Sequence, residues 1–118
     1  MSELSKAVQA LRRFALTFPE AYEDFPWGDR TMKVRGKIFL FLGQDSEHLN
    51  VGVKLPNSSD AALGLPFTSP MRYRLGRSGW VTAQFPKGSE IPLDLFRDWI
   101  RESYEAVAPA KLRVARHS

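Results

Sequence analysis

The sequence predicts an α+β fold: an antiparallel sheet of four or more strands, with an N-terminal and a C-terminal helix packed on one face. Three observations predict it. Apolar residues recur at helical spacing at both ends of the chain, at Leu4, Val8, Leu11, Ala15 and Phe18, and again at Leu95, Phe96, Trp99, Ile100, Ser103 and Val107. Between these stripes, apolar and polar residues alternate, most cleanly from His48 to Leu55. Two apolar runs, ending at Val34 and beginning at Lys37, are separated by Arg35 and Gly36, the length of a tight hairpin loop. The 118 residues make one domain, 1–118, whose last stretch from about residue 109 reads as a basic, fraying tail.

The first helix starts at Ser2, a side chain able to cap free amides, and stops before Pro19, which lacks an amide donor and clashes with the preceding turn. Ala7 and Phe14 widen its apolar stripe, and Lys6, Gln9, Arg12 and Arg13 occupy its other faces. Phe14 and Trp99, on the inward stripes of the two helices, are both expected in the core. A bend through "PEAYEDFPWGD" leads to the hairpin. A two-residue loop sets Val34 opposite Lys37 and Met32 opposite Phe39. Cross-strand partners share a face, so Met32, Val34, Phe39 and Phe41 are expected on one side with the stem of Lys37. Thr31, Lys33, Ile38, Leu40 and Leu42 are expected on the other.

In the third strand Leu49, Val51, Val53 and Leu55 point inward, and His48, Asn50, Gly52 and Lys54 form a polar face. "NSSDAALG" reads as a short helix, with Ser58 or Ser59 as cap and Gly64 as terminator. Residues 65–78 read as a loop, and "GWVTAQF" as a fourth strand with Val81, Ala83 and Phe85 inward and Trp80, Thr82 and Gln84 outward. Pro92 suits the first turn of the last helix, and Pro109 ends it.

The composition excludes several chemistries. Without cysteine there is no disulfide framework, thiolate nucleophile or zinc ribbon, which fits a cytoplasmic protein. "MSELSKAVQALRRF" lacks the continuous apolar stretch of a signal peptide, and no apolar run approaches the roughly 18 residues of a membrane span. Of the two histidines, His117 lies in the tail and His48 on a polar strand face. "GRSGW" fails the nucleophile-elbow pattern at Trp80, and "RGKI" lacks the upstream glycine of a phosphate loop. Neither an enzyme nor a cofactor is expected. Glu20, Glu23, Asp24 and Asp29 cluster in the first bend without the pattern of a hard-cation loop, so no metal is expected.

The charge points to a binding role. The net charge is +4, and its excess is central: residues 31–88 hold eight basic and three acidic groups. Lys33, Arg35 and Lys37 mark the hairpin, Lys54 ends the third strand, and Arg72, Arg74 and Arg77 stand beside Tyr73 and Trp80. Arginines interleaved with aromatics can grip phosphates and stack on bases. The same pattern also fits a solvated hairpin tip, with Trp80 simply packed over the sheet.

Four stretches, "FPEAYEDFPWGDRTMKVRGKIFLFL", "VGVKLP", "GWVTAQF" and "ESYEAVAPAKL", together resemble the MmcQ/YjbR family of small bacterial proteins across about residues 10–113. The resemblance implies a frataxin-like fold and a double-wing DNA-binding role. It marks Trp27, Gly28, Lys37, Phe39, Lys54, Trp80, Ser103, Tyr104 and Lys111 as family positions. Trp27, Phe39 and Tyr104 are expected to be structural, and Lys37, Lys54, Trp80 and Lys111 to meet a ligand. The first helix carries Lys6, Arg12 and Arg13 against Glu3 alone, where an iron-donating frataxin has an acidic ridge, so iron delivery is not expected. The leading expectation is a non-catalytic domain that binds DNA by phosphate contacts through the basic hairpin and arginine-rich loop. The alternative is a protein-interaction or small-anion-binding module using the sheet face around Lys54 and Trp80.

Overall fold

The computed structural model describes residues 3–25, 30–71, 78–88 and 90–112. Helix α1 (Glu3–Ala15) is followed by strands β1 (Tyr22–Asp24), β2 (Thr31–Val34), β3 (Lys37–Gln44) and β4 (His48–Lys54). Then come the short helix α2 (Ser59–Leu63), strands β5 (Thr68–Pro70) and β6 (Trp80–Pro86), and helix α3 (Leu93–Val107). The strands form one antiparallel sheet in the order β1-β2-β3-β4-β6-β5. Both long helices pack on β3 and β4 and against each other, so they share one face of the sheet.

The helices bury the stripes that their spacing marks. Leu4, Ala7, Val8, Leu11 and Ala15 of α1 face inward, as do Phe96, Trp99, Ile100, Ser103 and Tyr104 of α3. Phe14 is a partial exception. It is half-buried, with its ring edge-on to Phe18 and the Arg101 guanidinium above it. Two aromatic groups close the core at opposite ends. Tyr104 stacks on Phe18 at 4.6 Å, meets Phe39 edge-on, and donates its hydroxyl to the carbonyl of Pro19 at 2.7 Å. Phe67, Phe85, Phe96 and Trp99 do the same where β6 meets α3.

Two strands were not expected. β1 lies in the bend and is short, with two acids among its three residues, so it carries no apolar alternation. β5 lies in the expected loop and contains Pro70, which is tolerated because β5 is an edge strand. The short helix also differs in its cap. The side chain of Ser58 does not cap α2; it donates to Glu102, whose carboxylate also accepts the amides of Asn57 and Ser58 at 3.0 Å. A carboxylate from α3 thus holds the start of α2.

The hairpin corrects the expected faces of β3. Val34 does pair with Lys37, but Met32 pairs with Leu40 and Lys33 with Ile38, which leaves Phe39 as an extra residue in a β-bulge. A bulge shifts the alternation by one step. Phe39 and Leu40 are therefore both fully buried, Leu42 joins them on the helix-facing side, and Phe41 turns to the opposite face with Thr31. Ser103 satisfies the backbone that the bulge disturbs. Its hydroxyl accepts the Lys54 amide at 2.8 Å and donates to the Phe39 carbonyl, bridging two strands from the helix above. The β3–β4 ladder itself stops at Leu40 and Val53.

Ser103→Ala should therefore lose about 1–3 kcal/mol, because two buried backbone groups lose their partner. Trp99→Ala, which empties a site only 5% exposed, should lose about 3–5 kcal/mol. Denaturant unfolding of both variants checks this; a Ser103→Ala midpoint equal to wild type would mean that the bulge closes without the hydroxyl.

Candidate functional site

The expected basic residues fall into three groups. At the hairpin tip, Arg35 and Gly36 both have positive φ, +52° and +81°, the pattern of a type I′ turn. A left-handed arginine is an unfavourable choice for that turn, and its partner explains it. Arg35 grips both carboxylate oxygens of Glu20, with Nη2 at 2.9 Å, and Glu20 is itself left-handed at φ +59°. The hydrogen bond from Arg35 holds the Glu20 carboxyl below its ordinary range, and Lys111 adds a weaker pull. Lys33, two residues earlier, binds Asp24 at 2.7 Å and lowers its pKa in the same way. Lys37 is exposed and makes no ion pair among the described residues.

Three of the four acids of the first bend are thus counter-ions of the fold, and the fourth, Asp29, lies outside the described residues. Glu23 completes the set: it accepts Nε and Nη2 of Arg12 at 3.0 and 3.1 Å and lies 3.2 Å from Nε of Arg30. Arg30 stands over the ring of Phe25, and its Nη1 is buried without a partner among the described residues. Among the described residues no group of three potential metal ligands occurs. No described helix is long and apolar enough to cross a membrane.

The second group is on the sheet face away from the two long helices. Lys54 and Trp80 are register partners there, in line with the Asn50–Gln84 and Gly52–Thr82 pairs. Trp80 packs edge-on against Phe41 at 5.5 Å and is only 8% exposed, so most of its ring is already covered. Beside this pair lies a cleft of about 490 Å³, whose lining includes Phe25, Arg30, Phe41, Gly43, Gly52 and Met71. Gly52 shapes it. A Cβ there would lie 2.5 Å from Cε of Met71 and 3.2 Å from Cβ of Phe41, so the glycine is the seat that lets Met71 lie over the sheet. No carboxylate lines the cleft among the described residues.

The third group, Arg72, Arg74 and Arg77, lies outside the described residues, as do Trp27 and Gly28. The structure therefore brings Lys54 and Trp80 together and pairs Lys33 and Arg35 with carboxylates, while Lys111 only adds to the positive field at Glu20. Phe25, Arg30, Phe41 and Met71 were not singled out as site residues by sequence reasoning. One signal for the cleft was available: Gly43 and Gly52 interrupt neighbouring strands, and glycine inside a strand often marks close approach by another group.

A six-stranded antiparallel sheet with two long helices on one face and a cleft on the other, where no further helix packs among the described residues, defines a two-layer α+β domain. The chain belongs to the YjbR family, whose model matches residues 16–106. It is similar in structure to Deinococcus radiodurans protein DR2400, a DUF419 domain, with a TM-score of 0.72 and 22% identity over 92% of this chain and 86% of that one. None of the curated proteins matches it.

The Glu20–Arg35 pair makes a pH-dependent contribution with a definite sign. A carboxyl whose folded-state pKa is lowered adds stability above its unfolded pKa and loses it as pH falls through the folded value. The melting temperature of the wild type should therefore drop more steeply below about pH 4 than that of Glu20→Gln. Melting curves across that range check it, and parallel curves would show that the pair is energetically silent.

Proposed function

We propose that the domain is a non-catalytic nucleic-acid binder that meets phosphates with the open face of its sheet. The charge of that face carries the reading. Across β3, β4 and β6 its side chains include Phe41, His48, Asn50, Lys54, Trp80, Thr82 and Gln84, with no carboxylate among them. Asp45 reaches Asn50 at one end of this face and Asp24, paired to Lys33, lies at its β1 edge; at the other end a polyanion meets Lys54, which has no ion pair among the described residues. The sequence adds Arg72, Arg74 and Arg77 directly after Met71, a residue of the cleft.

The hairpin has a smaller part in this reading than its sequence suggests. Lys33 and Arg35 already hold Asp24 and Glu20, and a paired cation offers less to a phosphate than a free one. Lys37 has no ion pair among the described residues, but as the register partner of the buried Val34 it stands on the helix side of the sheet. If about four phosphates are engaged in all, the logarithm of duplex affinity falls against the logarithm of salt with a slope of about −3.6. A module for a small anion or a protein partner remains the second reading, favoured by the concave cleft beside Phe41.

Anisotropy titration of labelled random duplex and single strand at several salt concentrations tests the proposal. Lys54→Ala should flatten the duplex slope by about 0.9, the share of one phosphate. Arg35→Ala should flatten it less. Undetectable binding of both nucleic acids at low salt would overturn the reading in favour of the second.

A further inference from the structure

We infer that the cleft over Phe41 receives an unpaired nucleobase, so that the open face takes a single strand in preference to a duplex. The inference rests on the nucleic-acid reading and adds to it the form of the ligand. A nucleobase has flat apolar faces and a polar edge, and the cleft offers both kinds of surface. Phe41 is half-buried at its floor, Phe25 is 52% exposed at its rim, and Met71 borders them with a polarizable thioether. Asn50 and Thr82 add side chains that both donate and accept hydrogen bonds; the Asn50 amide also reaches Asp45. The volume of about 490 Å³ lies within the ~300–1,000 Å³ of small-ligand sites.

The charges favour a strand over a duplex. With Lys33 and Arg35 paired to acids, the described open face has few free cations for two phosphate backbones. Base stacking on Phe41 and Phe25 adds to the phosphate contacts, and a base can stack on protein only after leaving its own stack. Lys54, on the same face, is placed to meet the strand's phosphates. The covered ring of Trp80 acts as the support for Phe41 rather than as the platform itself.

A labelled mixed-sequence oligonucleotide, single-stranded and as duplex, at about 50 mM salt tests this. The strand should bind at least about tenfold more tightly than the duplex. Two variants separate the cleft from the rest of the face. Phe25→Ala removes an exposed ring, and Gly43→Val adds a branched side chain to the cleft at a position where an added Cβ meets no atom within 4 Å. Each should weaken strand binding by about 5- to 150-fold, the range of one lost base stack, with duplex affinity unchanged and a cooperative melt retained. Equal affinity for strand and duplex, or undiminished strand binding by a folded Gly43→Val, would overturn the cleft while leaving the nucleic-acid reading standing. Failure of both nucleic acids to bind would overturn both. A mononucleotide that competes as well as the strand would reassign the cleft to free nucleotides and overturn the preference for a strand.

Discussion

The hydroxyl of Ser103 supports the point on which the arrangement of the sheet turns. At Phe39 the third strand carries one residue more than its partner, and an unpaired backbone inside a core is costly. Ser103 reaches down from α3 to join the Phe39 carbonyl to the Lys54 amide, so the bulge is satisfied from above. With the bulge secured, Phe39 packs against Phe18 and Tyr104 while Phe41 turns outward two residues later. One buried hydroxyl thereby separates an aromatic core from an aromatic surface. Tyr104, the next residue on the helix, ties the same region to Pro19 and the end of α1.

The distribution of ion pairs gives the second half of the account. The bend between α1 and β2 holds Glu20, Glu23 and Asp24, and each faces a cation from another element: Arg35, the Arg12 and Arg30 pair, and Lys33. These pairs lie at the β1–β2 side of the sheet. The exposed Arg35–Glu20 pair adds little stability in water, and the part-buried pairs of Glu23 hold the bend to α1. Their larger effect is on the surface potential, since they neutralise the hairpin's positive charge where it is densest in sequence. Lys54 at the end of β4 is left without an ion pair among the described residues. Among the described residues the open face is mildly basic and partly aromatic, which is the combination that the proposed binding of bases and phosphates uses.

The likeness to DR2400 extends to the two-layer scaffold. The cleft depends on finer features of this chain. Met71 can lie over β4 because position 52 is glycine, and the floor stays low because position 43 is glycine as well. Two strand positions that weaken β-propensity thus shape the surface on which binding is proposed.

Much of this protein was legible in its sequence. The helices at both ends, the tight turn at Arg35–Gly36 and the inward Leu49, Val51 and Val53 follow from periodicity and turn chemistry, which act between neighbours in the chain. The family was legible as well, from short motifs in a fixed order. Three things were decided only in three dimensions. The bulge at Phe39 has no local signature, because an all-apolar run reads the same in either register. The edge strands β1 and β5 are too short and polar to announce themselves, and exist because longer strands offer them backbone partners. The pairing of Arg35 with Glu20 and Lys33 with Asp24 joins charges 15 and 9 residues apart, read from their positions, that composition counts separately. Periodicity reports which way a side chain points; only the packed chain brings the charges and rings together, because their neighbours come from other elements.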